Sequence, residues 1–398
     1  MKKTIGKMAG IYLALILLFT AALWLVSAIP NSRMQGAVDS FQDRWEQEYV
    51  EGGYPEPFFG NSQATIDLYT DGAMYERLTT EDGMGALQSA MYAKDYTRYW
   101  HGYLIVLKPL SLFLTYPQIR YLNMFIINIL CFLSGMMLYR KTKRTGAACA
   151  FILGLTATFL IVAPISFQYM ASYTVMFLTV LALLGNLEKR KLGMPELFFG
   201  CGMCISFFDF LTFPVITLGI PLIVWLLADE TGRSFRNRVK ALIGYSVSWA
   251  AGYVLCWSTK WILGSLILGR NILTDALNQV LFRSVGSAEE VTTPAEALSR
   301  NVGMLNYMNW PAVCLVIPGI LLAVLGWRQW KADRDTALRY LLILGVCLYP
   351  YLWYIAFSNH SQIHYFFTYR AQAVTVFGVL AVLLGLLGDW CQSRRKSL

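Results

Sequence analysis

The sequence predicts an all-α polytopic membrane protein with about ten transmembrane helices and a large first extracytoplasmic loop that contains amphipathic helices. Composition is the first reason: 398 residues at 56% hydrophobic and 14% charged, with mean hydropathy +0.48, suit a chain solvated largely by lipid. The second is punctuation, because apolar runs of roughly 20 residues, the length that crosses the hydrocarbon core, alternate with basic clusters. The clusters are Lys2, Lys3 and Lys7; Arg140, Lys141, Lys143 and Arg144; Lys189, Arg190 and Lys191; Arg233, Arg236, Arg238 and Lys240; Arg328, Lys331, Arg334 and Arg339; and Arg394, Arg395 and Lys396. Positive-inside logic makes them cytoplasmic. The third is that His101, His360 and His364, the only histidines, all fall in connections that the same count places on the opposite side.

Taken in order, the first span covers residues 8–28 and follows a basic start; its apolar stretch is longer than a signal peptide requires, so it reads as a retained anchor. Residues 29–118 form the first outer loop, which carries twelve acidic side chains against five basic ones over 29–102. Within it Met34, Val38, Phe41, Trp45 and Tyr49 make one apolar stripe at helical spacing, the pattern of an amphipathic helix lying on a membrane surface. Gly52-Gly53 and Pro55-Glu56-Pro57 end that helix. The apolar segment Tyr103 to Tyr116 is too short to cross and is interrupted by Lys108-Pro109, so it reads as a surface or re-entrant helix. A crossing there would put Arg140 to Arg144 outside and invert every later cluster.

The remaining spans are expected over 119–139, 147–165, 169–187, 195–212, 213–228, 241–263, 310–327, 338–357 and 371–390, with both termini cytoplasmic and the chain in a bacterial plasma membrane. The chain divides into a membrane module over 1–260 and a C-terminal membrane region over 261–398 with an outer loop at 264–309, and no separate soluble domain. A nucleic-acid partner is excluded, since the basic residues punctuate apolar spans and form no separate stripe; membrane lipids are the expected surroundings. None of the eight cysteines lies within the long outer loops' polar stretches, which argues against a disulfide framework. Cys201 and Cys204, three apart in one span, are read as packing residues.

Candidate chemistry gathers on the outer side. Asp67 and Asp71 would share a helix face at i, i+4. A carboxylate there can act as general base on an acceptor hydroxyl or hold a divalent cation; equally, Asp71 can cap a helix starting at Gly72 while Asp67 sits in a turn. Arg98 and His101, among Tyr99, Trp100 and Tyr103, suit either a phosphate or interfacial anchoring. His360 and His364 at i, i+4, with Arg370 beyond them, form a second polar knot suited to hydrogen bonding a phosphate or sugar, and a metal there lacks an adjacent third ligand. Lys260, between Trp257 and Trp261, is a cation at similar depth or a snorkelling side chain. Asp209, in an apolar span, reads as a turn cap or a substrate contact.

The stretch His101-Gly-Tyr-Leu-Ile-Val-Leu-Lys-Pro109, then Tyr116-Pro-Gln-Ile-Arg120-Tyr-Leu-Asn123 and a span ending in Arg140 to Arg144, resembles the GT-C superfamily of membrane glycosyltransferases. So does the order of a first span, a long outer loop opening on a surface helix, a short helix and closely spaced spans with basic inner turns; Pro164-Ile-Ser-Phe-Gln168 also falls where such proteins turn. The likeness covers about residues 1–260 as architecture. It departs in two places: Asp39 and Asp43, nearest the first span, lie on the polar side of the expected surface helix, and His101-Gly102 stands where a proline pair is usual.

The resemblance implies a sugar donor carried on a polyprenyl phosphate and an acceptor that is a glycan, a lipid or a protein, in cell-surface glycan assembly. It implies Asp71 as general base assisted by Asp67, with Arg98, His101, Lys260, His360, His364 and Arg370 on the donor and its departing phosphate. Two other classes compete: a non-catalytic membrane component of glycan assembly, and a transporter or flippase of a lipid-linked substrate, which would hold its substrate near the midplane.

Overall fold

The computed structural model describes residues 2–48, 62–81, 83–94, 96–189, 192–229, 231–286, 292–305 and 317–396, with backbone alone for residue 2 and residues 392–396. Tyr49, the Gly52-Gly53 and Pro55 to Pro57 stop signals, Arg190, Lys191 and the start of the span expected at 310–327 lie outside these residues. Among the described residues the regular elements are helices, with no strand. They are α1 (Lys2–Ser27), α2 (Gln35–Glu48), α3 (Leu68–Glu76), α4 (Ala86–Met91), α5 (Leu104–Leu110), α6 (Tyr116–Thr142), α7 (Thr145–Thr156), α8 (Phe167–Lys189), α9 (Met194–Phe208), α10 (Ile216–Ala228) and α11 (Phe235–Leu268). There follow α12 (Ile272–Val285), α13 (Pro294–Gly303), α14 (Ile317–Ala332), α15 (Arg334–Val346), α16 (Tyr349–Ala356), α17 (Ser358–Ile363), α18 (Tyr365–Thr368) and α19 (Ala373–Lys396).

Six helical stretches among the described residues are long and apolar enough to cross a membrane: Lys3–Ser27, Tyr116–Thr142, Phe167–Lys189, Phe235–Leu268, Arg334–Ala356 and Tyr365–Cys391. This fits a polytopic membrane protein. Three further apolar helices, α7, α9 and α10, are shorter. At 1.5 Å per residue, the 12 residues of α7 cover about 18 Å of a core about 30 Å thick.

Each shortening has a local cause. After α7 the chain turns through Phe159, at φ 55°, into a 3-10 turn over Leu160–Ile165 that contains Pro164. Asp209 stops α9 because its carboxylate accepts from Thr212 N–H at 2.8 Å and Ser172 Oγ at 3.2 Å. This is the turn cap read from the sequence. Nearly every residue of α10 is buried, as befits a helix that is apolar all round; α6, α8, α9, α11, α15 and α19 surround it.

Residue 260 lies inside α11, and α19 packs on α7 and α10, so the two halves of the chain interlock. At the face carrying the basic clusters, Arg238 pairs with Asp335 at 2.8 Å and ties α11 to α15. At the opposite face a second core forms between α1 and the short helices α2 to α5. There the α2 stripe does not face lipid as the sequence suggested. Met34 and Phe41 are buried, and α2 packs on α3 and α6, because Phe41 finds aromatic partners in Tyr75 and Tyr116 at 4.9 and 5.0 Å between ring centres.

The closest helix pair, α9 against α11, depends on two glycines. A Cβ on Gly202 would lie 2.0 Å from Trp249 O, and one on Gly252 would lie 2.1 Å from Phe199 O. Small residues at such a crossing let backbones approach, as in other membrane helix pairs. Gly202→Ala and Gly252→Ala should therefore each destabilise the protein by roughly 1–3 kcal/mol, the usual range for overpacking. Gly244→Ala, on the same helix with nothing within 4 Å, serves as the control. A thermal melt of the purified variants in detergent checks this; equal midpoints for all three would refute the packing argument.

Candidate functional site

The acidic pair is built from the start of α3. Asp67, and not Asp71, caps this helix: its Oδ1 accepts from Thr70 N–H at 3.0 Å and its Oδ2 from Thr70 Oγ at 2.8 Å. The helix begins at Leu68, so the expected start at Gly72 is corrected. Thr70 supplies both donors to Asp67, which leaves the Asp71 carboxylate free to reach another helix.

That helix is α8. Asp71 Oδ1 accepts from Phe167 N–H at 2.9 Å and Gln168 N–H at 3.3 Å, and Oδ2 from the Tyr116 hydroxyl at 2.8 Å. It thus satisfies amides that the first turn of a helix leaves unpaired and sits at the positive end of its dipole. Arg120 continues the chain of contacts, donating to Tyr116 Oη at 2.6 Å and to Glu48 at 2.8 Å. Asp71 has no solvent exposure. Burial pushes its carboxyl up to about 7, against the opposing pull of Arg120, the Phe167 amide and the Tyr116 hydroxyl. Burial likewise raises Asp67.

Arg370 adjoins this acidic knot. It is buried; its Nη2 donates to Gln63 O at 3.0 Å and Thr65 O at 3.1 Å, and its guanidinium lies 4.5 Å from the Tyr169 ring centre. It holds the segment that leads into Asp67, and Tyr169 is within electrostatic reach of Arg370, Asp67 and Asp71 together.

A separate group forms around His101. This residue takes φ 56°, unusual for a side chain with a Cβ, and the next amide, of Gly102, donates to Phe207 O at 3.0 Å. A Cβ at Gly102 would lie 2.4 Å from the Phe207 ring, which accounts for glycine there. His101 Nε2 donates to Tyr96 O at 2.9 Å, and the Tyr103 hydroxyl donates to Nδ1 at 3.3 Å. Burial, followed by the nearby charges of Arg77, Lys260 and Arg98, holds its imidazole well below the usual histidine range. It is a neutral, fixed hydrogen-bonding group.

Lys260 is wholly buried on α11. Its ammonium donates to Met91 O at 2.6 Å, makes no ion pair among the described residues, and lies within electrostatic reach of Arg77 and Arg270. Arg98 stands 3.6 Å from Asp275, a carboxylate more than half exposed, and receives Trp261 Nε1–H on its carbonyl at 3.1 Å. Arg270 donates to Thr97 Oγ at 2.7 Å, and Arg77 to Ser89 O at 2.9 Å. The sequence reading did not select Arg77, Arg270, Tyr116 or Arg120. The i, i+4 spacing of Tyr116 and Arg120 was a usable signal; Arg77 and Arg270 sit in polar connections that look solvated until the fold closes over them.

The histidine knot is the third group. His360 is buried against the Leu211 and Thr212 backbone, with no hydrogen bond of full geometry to its ring nitrogens among the described residues; its ring centre lies 4.9 Å from that of His364. Arg283 Nη1 donates to His364 Nε2 at 3.1 Å. Burial and then Arg283 push His364 down to about 4, and burial, His364 and Arg283 lower His360 further below its usual range. Arg283 also lies within electrostatic reach of Tyr96, which feels Arg98 as well. The fold therefore places Arg98 and Lys260 within electrostatic reach of His101 and links the histidine knot to Arg98 only through Arg283 and Tyr96, while Asp67, Asp71 and Arg370 form a distinct knot around Tyr116 and Tyr169. Among the described residues no three His, Cys, Asp or Glu side chains are placed to hold a metal ion.

No family model matches the chain, nor does any curated protein or solved structure compared with it.

The Asp71 carboxyl gives a pH test. Its folded-state value of about 7 lies above the ordinary 3.8, so its contribution to stability is fullest below the lower value and is lost as pH rises through the upper one. The lowered histidines act in the opposite sense, which a difference between proteins cancels. The unfolding free energy of the wild type relative to Asp71→Asn, from chemical denaturation in detergent, should rise as pH falls from 8 to 5, with a slope of at most about 1.4 kcal/mol per pH unit. A pH-independent difference would mean that Asp71 stays ionised.

Proposed function

We propose that this chain binds a polyprenyl-phosphate-linked sugar at the face opposite its basic clusters and acts there as a membrane glycosyltransferase of the GT-C type. The observation that carries the reading is Lys260: a buried ammonium whose hydrogen-bond partners are the Met91 carbonyl and sulfur, set among Arg77 and Arg270, with Arg98 beyond His101. Removing a charge from water costs several kcal/mol even after relaxation, whereas one hydrogen bond to a charged group returns about 1.5–3 kcal/mol. An anion completes such a site, and a lipid phosphate is the anion that a membrane helix end meets.

In this reading α7, α9, α10 and α14 cross the bilayer alongside the six long stretches, both termini lie in the cytoplasm of a bacterial cell, and the cation group faces outward. The sugar C1–O bond to phosphate breaks, the electron pair stays on the phosphate, and Arg98, His101, Lys260 and Arg270 bind the leaving group. The acceptor hydroxyl forms the new bond to C1 and gives up its proton to a base. Asp71 fits that role only if the α3–α8 junction opens, since its Oδ1 holds α8 and its Oδ2 is taken by Tyr116 on α6.

This closure favours a second reading, in which the same cations bind the lipid-linked sugar without transferring it and the protein serves as a non-catalytic component of glycan assembly. Polyprenyl phosphate binding to the protein in nanodiscs separates both from chance. Lys260→Met, close in length and apolar, should keep the fold and weaken binding about tenfold or more; unchanged binding would end the proposal. Release of polyprenyl phosphate from a polyprenyl-phosphate sugar, with water or a hydroxyl acceptor, then identifies the transferase, and binding without release identifies the second reading.

A further inference from the structure

The α2 stripe is buried, but another helix carries an apolar stripe that is not. On α12 the side chains of Leu273, Leu277, Leu281 and Val285 recur every fourth residue, so they lie along one side of the helix. They are between 44% and 68% exposed, and Thr274 and Asn278 border them. The opposite side is fixed. It buries Ile272 and Ala276 and packs on α11 and α17; Asp275 stands 3.6 Å from Arg98, Arg283 donates to His364 at 3.1 Å, and Phe282 O accepts from Asn359 Nδ2 at 2.9 Å. Held in this way, α12 cannot turn its stripe inward.

A row of four large apolar side chains on a fixed helix is a contiguous patch of the kind that marks contact with a membrane or with another protein. The neighbouring α13 gives the contrast. It packs on the same α17, yet it exposes Glu296, Ser299 and Arg300 and buries Ala297 and Asn301, the pattern of a helix that faces water. What α12 adjoins favours lipid over a protein. It follows α11, one of the stretches long and apolar enough to cross, with only Gly269, at φ 64°, Arg270 and Asn271 between them. The last turns of α11 expose Ile262 and Leu266, and a crossing helix presents such side chains to lipid. The exposed apolar surface thus continues along the chain from the end of a crossing helix into α12.

We propose that α12 lies in the plane of the leaflet opposite the basic clusters, with Leu273, Leu277, Leu281 and Val285 inserted at the boundary between headgroups and acyl chains. The polar groups on its flanks then sit at headgroup depth. Anchored there, α12 holds Arg270, which donates to Thr97, and Asp275, beside Arg98, at the level of the lipid phosphates. The assignment goes beyond the glycosyltransferase reading and does not depend on it, because it holds with the cation group empty or filled.

Photocrosslinking of the full-length protein, in nanodiscs of phosphatidylethanolamine and phosphatidylglycerol, tests it. The photoreactive residue p-benzoylphenylalanine replaces Leu277, Leu281 or, as the control, Ser299; all three side chains are exposed, so the core is untouched. Mass spectrometry after irradiation should show several-fold more lipid adduct at Leu277 and Leu281 than at Ser299, attached in the glycerol or upper acyl region, about 5–10 Å deep. Adducts to a second copy of the chain would make the stripe a dimer contact, and adducts to another segment of the same chain would make it an internal one. Either result, or lipid yields at Leu277 and Leu281 no higher than at Ser299, would overturn the proposal.

Discussion

One buried carboxylate ties α3, and through Tyr116 and Arg120 also α2, to the apolar bundle. Asp71 rises from the first turn of α3 and accepts the first amides of α8, and Tyr116, at the start of α6, donates to the same group. These amides have no partner within their own helix, and at the edge of an apolar bundle water does not readily replace one. Through Tyr116 the contact extends to Arg120 and then Glu48 on α2, and around it Phe41 stacks on Tyr75 while the other pairs among Phe41, Tyr75, Tyr116 and Phe167 pack edge to face or tilted. The carboxylate thus sets where α2 and α3 sit relative to α6 and α8. It also sets where the segment held by Arg370 runs, since Thr65 O, two residues before Asp67, is one of that arginine's acceptors.

The same logic, applied to positive charge, distinguishes the neighbouring site. The acidic knot is internally satisfied: carboxylate, hydroxyl, guanidinium and second carboxylate follow one another within hydrogen-bonding distance. Around Lys260 the balance differs, because the groups in electrostatic reach are other cations and the direct partners are the uncharged carbonyl and sulfur of Met91. Asp275 relieves Arg98 at one edge, from a position more than half exposed to solvent, where an ion pair contributes about 0–1 kcal/mol. That is small beside the cost of a buried ammonium. The proposed anion is the term that would restore this balance, with His101 beside it as a hydrogen-bonding group.

Much of the membrane frame was legible in the sequence. The helices α6, α8 and α19 announce themselves as apolar runs whose ends carry basic residues, and the apolar segment Tyr103 to Tyr116 holds a helix of only seven residues, Leu104–Leu110. The shortened α7, α9 and α10 were less legible, because hydropathy does not register the turn at Phe159 or the Thr212 amide that draws Asp209 out of α9. The candidate site was legible residue by residue but not as an arrangement. Spacing placed Asp67 and Asp71 together, yet could not say which would cap α3, since that depends on whether a distant helix end needs the other. Arg77 and Arg270 sit in connections where charge ordinarily faces water, and only the closure of α4 and α11 around Met91 and Lys260 gives them a shared space.

The most direct test of the account is an electron cryomicroscopy map of the protein in lipid nanodiscs containing polyprenyl phosphate. The account predicts phosphate density in contact with Lys260 and bounded by Arg77, Arg98 and Arg270, with the prenyl chain leaving toward the surrounding lipid. Phosphate bound elsewhere, with Lys260 still engaged only by Met91, would contradict it.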